Sequence, residues 1–546
     1  MACGRLHVQR FDALTLLAWL LAIGLGGQTL MPIFLNYRPK WACVIPSEAQ
    51  NFSSSRFFAN SGPGDGGTDY DDFFDNATDD AVPDVSVHWS RDCTVVENCS
   101  QPISFQADAA FHSAAVEFDL LCGRQAYHAT LVSTMQFVGL LSGVLVWGHL
   151  GDNCGRKPVG VLATAAALVA GALTAFTTSW LWLMVGRFCT GFSVGGLTVT
   201  YTHVIEMIPP EQRMLQRGFF NWGWSRLLIT FICWLLPNWR RAVFATSAVF
   251  AVPLLLMFFL VLPESPKWLA SRADKKHALA AATRRIDCIN GTVGASERGC
   301  VAIPPEQATD SRMYTAKDLC CSGPEIARRT FVFCLMWFTS AAASYTIDFN
   351  SSRLPGDFFQ SQFIFAALII IIFVIDTFIP SFSRRMLHQV PLAVNIVLLA
   401  VLITLTAAGL SDDNYAVTVV TYFFTVFIEY TWDACYLCSA EGYPTPVRAI
   451  GVSTAALTAR IGVVLAPQIA FLSIVWPPAA YVVALAVCSV TLLVSLCWLP
   501  ETKNVELPGA FERIVQPTTT ANADQPNHHA NNPTTRASST HATSKF

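Results

Sequence analysis

Gly148-His149-Leu150-Gly151-Asp152-Asn153-Cys154-Gly155-Arg156-Lys157 is a short polar turn between two apolar stretches, near 127–149 and 158–178. Each stretch is about 20 residues long, the length a helix needs to cross a hydrocarbon core roughly 30 Å thick. The glycines permit a tight reversal of the chain. Asp152 and Arg156 are placed to pair with charges on neighbouring helix ends. The same alternation extends in both directions. A first apolar block runs from about 13 to 35; others lie near 180–202, 216–236 and 241–262, and then near 329–349, 358–380, 388–409, 415–438, 449–474 and 479–499. The sum is twelve spans in two groups of six. In lipid the backbone must satisfy itself, so spans are helices or closed barrels, and no strand alternation suggests a barrel. The reading is an all-α membrane protein.

Composition agrees. Of 546 residues, 53% are hydrophobic and 13% charged, against roughly a quarter charged in soluble domains. The net charge is −3 and no basic stripe interleaves with aromatics, which argues against a nucleic-acid partner. The first block is too long for a secretory h-region and ends in Pro32 and Asn36, so it reads as an uncleaved span. No His/Cys cluster has zinc spacing, and neither a phosphate-binding Gly-Lys-Ser/Thr loop nor a Gly-x-Ser-x-Gly elbow is present. Hence no enzyme, metal or cofactor is expected.

Polar segments divide the chain. Residues 1–35 hold the N-terminus and first span, 36–126 an acidic loop, and 127–262 spans two to six. Residues 263–328 form a Lys/Arg-rich loop, 329–499 hold spans seven to twelve, and 500–546 form a Thr/Asn/Pro-rich tail of disordered composition. Arg156, Lys157, Arg213, Arg217, Arg384, Arg385, Arg448 and the second loop fall on one side if both termini are cytoplasmic, as the positive-inside rule requires. The acidic loop then lies outside, at the plasma membrane. It carries sequons at Asn51, Asn76 and Asn98, expected to be glycosylated, whereas Asn290 in the inner loop is expected bare. It also holds Cys43, Cys93, Cys99 and Cys122, which an oxidising compartment would join as two disulfides with three connectivities open.

Further motifs sit at span ends. Arg187-Phe188 leads through Gly191 and Gly195-Gly196 to Glu206 in the fourth span. Pro263-Glu264-Ser265-Pro266-Lys267-Trp268 closes the sixth, Glu441-Gly442-Tyr443-Pro444-Thr445-Pro446-Val447-Arg448 precedes the eleventh, and Leu499-Pro500-Glu501-Thr502-Lys503 closes the twelfth. Pro39-Lys40-Trp41-Ala42-Cys43 follows span one, and Val116-Glu117-Phe118-Asp119-Leu120-Leu121-Cys122 precedes span two. Together with the aromatic-rich seventh span (Trp337, Phe338, Tyr345), these motifs resemble the major facilitator superfamily. More narrowly they resemble the organic cation, anion and zwitterion transporters of solute carrier family 22. The resemblance covers the chain up to the tail. It departs within span eight, where an apolar run from Ala366 to Val374 replaces the family's Glu-x-Pro, and at Ser383-Arg384-Arg385. It implies two six-helix halves related by a pseudo-twofold axis, with a site near the midplane. It further implies alternating access of a small organic ion, with a coupling ion or counter-anion. On the same grounds Asp152, Arg156, Arg187, Glu206, Glu264, Glu441, Arg448 and Glu501 are expected to form cytoplasmic gating motifs.

Charges inside spans are costly and mark function by default. Arg460 lies mid-span eleven, where the family's anion and zwitterion carriers have Arg; its planar fork matches a carboxylate. The alternative is that Arg460 neutralises an acid. Arg226 lies in span five and Glu429 in span ten, and pairing or substrate contact is open for both. Asp433 and Asp348 read as water-facing. Trp337 and Tyr345 are expected to line the pocket. The function expected is transport of anionic or zwitterionic, carboxylate-bearing small ions. Rivals are an organic cation carrier, a sugar-porter-like carrier and a non-transporting receptor.

Overall fold

The computed structural model describes residues 9–43, 93, 103–105, 111–209, 220–272, 275–291, 319, 323–378, 383–410 and 414–501. The first pass is α1 (Arg10–Gly26), a 3-10 turn over Gly27–Thr29, and α2 (Met31–Leu35). Strands β1 (Trp41–Cys43) and β2 (Ile103–Phe105) pair antiparallel, Trp41 opposite Phe105, and α3 (Ala114–Glu117) follows. The first half continues through α4 (Gly123–Cys154), α5 (Arg156–Ala175), α6 (Trp180–Val194) with α7 (Leu197–Met207), α8 (Trp222–Leu235) and α9 (Trp239–Leu260). Two short helices, α10 (Pro266–Ala270) and α11 (Lys276–Asn290), lie between the halves in sequence. The second half comprises α12 (Pro324–Asn350), α13 (Phe358–Phe378), α14 (Arg384–Ala407), α15 (Tyr415–Gly442), α16 (Thr445–Val475) and α17 (Ala479–Trp498). The described residues thus give twelve helical passes, close to the spans read from hydropathy. Eight are long and apolar enough by themselves to cross a membrane.

Local chemistry sets the helix starts. Asn221, Asn238 and Asn414 accept hydrogen bonds from Gly223, Arg240 and Ala416 N–H groups at the heads of α8, α9 and α15, using the N-cap preference of Asn. Ser265 caps α10, with Pro266 in its first turn. The outward faces are apolar: Leu162, Leu173, Phe259, Leu260, Val397 and Leu493 are exposed, as lipid-facing side chains must be. Where α4 crosses α6, side chains are absent. A methyl group on Gly191 would overlap the Gln136 carbonyl, and one on Gly139 or Gly143 the carbonyls of Phe188 or Phe192. Small residues let helix backbones meet without a hydrophobic drive, the usual means of packing in lipid.

The halves meet along two seams, α4 against α16 and α8 against α13. Aromatic rings close part of the join: Tyr37 and Phe34 meet Phe358 at 4.5 and 5.5 Å between centroids, and Phe111 meets Phe359 at 6.3 Å. Deeper in, Phe137 of α4 contacts Tyr345 of α12 edge-on at 5.5 Å, and Gln468 of α16 donates to Thr134 Oγ1 of α4 at 2.9 Å. The polar contacts of the short stretch before α4 run to the first half. Glu117 accepts from Trp239 Nε1 at 2.6 Å and from Arg240 Nε at 3.0 Å.

Candidate functional site

Two charged regions stand out: a cluster at one end of the bundle and a sparse set of charges near its centre. At the end cluster the second and third passes are joined by the turn quoted above. Gly155 has φ +114°, and a Cβ there would lie 2.6 Å from Glu264 Oε2, so glycine is required twice over. Glu264 accepts from the backbone N–H groups of Arg156 and Lys157 at 2.9 and 3.1 Å, at the head of α5. A carboxylate at a helix N-terminus meets unpaired donors and the positive end of the dipole. Arg156 pairs with Asp152 at 2.5 Å and with Glu206 at 3.5 Å. Glu206 also accepts from Ser265 Oγ at 2.5 Å, and Trp268 Nε1 donates to the Asp152 carbonyl at 2.9 Å.

The second half repeats this design. Glu501 accepts from the backbone N–H groups of Arg384 and Arg385 at 3.0 and 3.4 Å, at the head of α14, and from Ser383 Oγ. Arg384 in turn grips Glu441 with Nε at 2.9 Å and Nη2 at 2.7 Å, a two-pronged, charge-assisted pair. Glu264 with Arg156 and Glu206 therefore corresponds to Glu501 with Arg384 and Glu441, six passes on. Every ion pair found here among the described residues lies within one half. Arg448 donates to the Tyr443 carbonyl at 3.4 Å nearby.

Arg187, grouped with these motifs on sequence grounds, lies elsewhere. It is fully buried inside the first half and donates to Gln28 Oε1 at 3.3 Å. Gln28 sits on the 3-10 break of the first pass and donates to Thr246 at 2.6 Å and Ser247 at 3.0 Å. Placement on the interior face of α6 is the physical reason that Arg187 does not reach the end cluster.

At the centre, Arg226 of α8 is 3% exposed and pairs with Asp348 of α12 at 2.6 Å. Its Nη2 donates to Gln362 Oε1 of α13 at 2.8 Å, and its guanidinium lies 4.6 Å above the Phe365 ring. This ion pair crosses between the halves. Asp348 is therefore not water-facing: the Ser351–Arg353 turn caps α12 and leaves the carboxylate against α8. Asp433 is 2% exposed, again contrary to the sequence reading, because its side of α15 packs inward.

Arg460 and Glu429 are half-buried, and neither has a hydrogen-bond or ion-pair partner among the described residues. They do not neutralise each other. Tyr345 is hydrogen-bonded to Thr29 and lies within electrostatic reach of Arg460, Asp348 and Glu429, and Glu429 lies within reach of Arg226, Asp348 and Asp433. Trp337 is 3% exposed and meets Trp432 and Tyr436 edge-on at 5.8 and 4.5 Å. The exposed member of that trio is Tyr436, which the sequence did not single out; Gln362, Phe365 and Gln28 were also missed, since apolar or amide side chains inside a span carry no signal of their partners.

Cys93 and Cys122 form a disulfide. Cys99, the side chain of Cys43 and the sequons at Asn51, Asn76 and Asn98 lie outside the described residues.

A twelve-pass bundle of two like halves, with charges held at its centre and matched capped helices at one end, defines a transporter rather than an enzyme. Residues 92–511 match the family described as "Sugar (and other) transporter". The chain belongs to that family, within the major facilitator superfamily, and its curated relatives include proteins named as solute carrier family 22 members and as organic cation transporters. It is 37% identical to an uncharacterised protein of Caenorhabditis elegans over 93% of this chain and 95% of that one. It is 26% identical to solute carrier family 22 member 7 of Mus musculus over 89% and 91% of the two chains. With the organic cation transporter protein of Drosophila melanogaster it shares 25% over 88% of each. In fold it is similar to the xylose transporter XylE from E. coli, with a TM-score of 0.55 at 14% identity over 91% of this chain and 98% of that chain.

Proposed function

We propose that the chain carries small carboxylate-bearing organic ions, zwitterions foremost, across the plasma membrane by alternating access, with both termini cytoplasmic. The observation that carries this is the pair of half-buried groups without a hydrogen-bond or ion-pair partner among the described residues, Arg460 on α16 and Glu429 on α15, both within electrostatic reach of Tyr345. A charge kept in a low-dielectric centre without a protein partner is stabilised by a ligand that supplies the counter-charge or, for a carboxyl such as Glu429, by taking up a proton until that ligand arrives. Arg460 offers a carboxylate its planar fork; Glu429 offers a cationic group its counterpart, and Tyr436 a ring face. Arg226 is already paired with Asp348 and Gln362, and its part is to hold the wall.

A purely cationic substrate is the second reading. It is favoured by Asp348, Glu429 and Asp433 outnumbering Arg226 and Arg460 at the centre. Uptake separates the two, using matched zwitterionic, anionic and cationic compounds and normalising to surface protein. Arg460→Ala should weaken carboxylate-bearing substrates by the about 1.5–3 kcal/mol of a charged hydrogen-bonded contact, roughly ten- to a hundredfold, and leave cations little changed. Arg460→Lys should rescue in part. Glu429→Gln should hurt zwitterions and cations but spare anions. Equal losses for every substrate charge in both variants would sink the proposal, and no uptake of any class by surface-expressed wild type would favour a non-transporting receptor.

A further inference from the structure

We infer that α10 and α11 form a docking surface for the anionic headgroups of the surrounding lipid, and that this surface reports to the charged end of the first half. The stretch 263–291 carries Lys267, Arg272, Lys275, Lys276, Arg284 and Arg285 against Glu264, Asp274 and Asp287. α11 is amphipathic. Its Ile286 and Ile289 pack into the core with Phe11 and Leu262, and Leu279 and Ala282 meet Trp268 and Leu269. Its opposite face exposes Lys276 and Arg284, with Lys267 exposed on α10, and these three have no hydrogen-bond or ion-pair partner among the described residues.

The depth of the surface is fixed by covalent and hydrogen-bonded neighbours. Arg285 Nη2 donates to the carbonyls of Phe259 and Leu260 at 3.2 and 2.6 Å, the last turn of α9. Phe259 and Leu260 are themselves among the exposed apolar residues of that span, so Arg285 is held at the end of the lipid-facing part of α9. At the far end of α11, Asn290 accepts from Phe11 N–H at 3.0 Å and donates to Gln9 at 2.7 Å, pinning the helix beside the start of α1. Basic side chains carried at the end of a lipid-facing span lie at the level of phospholipid phosphates. There each Lys or Arg adds roughly fivefold to the preference for an anionic lipid.

The same segment is tied to the end cluster. Trp268 Nε1 and Arg272 Nη2 both donate to the Asp152 carbonyl, at 2.9 and 3.2 Å, Lys275 Nζ lies 4.3 Å from the Trp268 ring centroid, and Ser265 bonds Glu206. Lipid held on α11 thus pulls on residues that brace Asp152, Arg156 and Glu206.

The test uses the full-length protein in detergent, titrated with fluorescent phosphatidylserine, and with phosphatidylcholine and inorganic phosphate as comparisons. Saturable phosphatidylserine binding that weakens with salt is expected, with phosphatidylcholine far weaker. The triple variant Lys267→Gln/Lys276→Gln/Arg284→Gln should bind phosphatidylserine about a hundredfold more weakly. Lys267→Arg/Lys276→Arg, which keeps the charge, should bind as wild type. The triple variant must elute as wild type does on size exclusion; should it not, each single Gln variant, expected to lose about fivefold, takes its place. Undiminished binding by the folded Gln variants, equal binding of the two lipids, or binding of inorganic phosphate alone would overturn the inference.

Discussion

Arg226→Ala is the perturbation whose outcome the structure constrains most tightly. It removes a guanidinium that is 3% exposed and leaves Asp348, 16% exposed in its side chain, facing α8 with no cation at 2.6 Å. Gln362 loses its donor at the same stroke, although its Nε2 still donates to Ser351 Oγ at 2.9 Å. Breaking one partner out of a buried pair costs about 3–5 kcal/mol; the partial exposure of Asp348 places this pair near the lower end, about 3 kcal/mol. That is more than a hundredfold in the folded fraction. The expected result is a marked fall in surface expression and in the melting temperature of detergent-extracted protein, with uptake lost equally for all substrates. Arg226→Ala/Asp348→Ala should recover much of the stability, since removing both charges is far less costly than removing one. Arg460→Ala serves as the contrast and should express and melt like wild type, having no protein partner to orphan. If Arg226→Ala proved as stable as wild type, or if the double variant were no better than the single, the view of this pair as the structural bridge between the halves would fail.

Other consequences are testable by simpler means. Glycosidase treatment of single Asn→Gln variants should reveal sugar at Asn51, Asn76 and Asn98 and none at Asn290, whose side chain is occupied by Phe11 and Gln9; a mobility shift traced to Asn290 would reverse the orientation. Non-reducing peptide mass spectrometry should recover Cys93 joined to Cys122, and finding both as free thiols in surface protein would contradict the fold of that loop. Gly191→Ala should lower the melting temperature through overpacking of about 1–3 kcal/mol, because the new methyl overlaps the Gln136 carbonyl; a neutral result would mean that α4 and α6 do not cross this closely. Glu264→Gln should destabilise by about 1 kcal/mol, since it removes the charge facing the head of α5 while keeping an acceptor for the Arg156 N–H group. An unchanged melting temperature would reduce Glu264 to a surface acid.

The passes were legible from hydropathy because each span is a local property: about 20 apolar residues in a row decide it without reference to the rest of the chain. The pseudosymmetric ends were legible only as motifs. That Glu264 and Glu501 each cap a helix beginning more than a hundred positions earlier, at Arg156 and Arg384, appears only when the passes are folded. The central charges were found, but the partner of Arg226 was not. Arg226 and Asp348 are 122 positions apart, and nothing local to either names the other. Asp348 sits near the end of an apolar run, where hydropathy alone suggests water. The chain instead continues through Asn350 and a 3-10 turn whose Ser351 bonds back to the Asp348 carbonyl at 2.6 Å. That closure shields the end of α12 and turns its carboxylate toward α8. Once Asp348 has claimed Arg226, Glu429 and Arg460 are left as unmatched ions of opposite sign beside one tyrosine. Which membrane charges the fold pairs, and which it leaves without a protein partner, is decided across the whole chain and not within any one span.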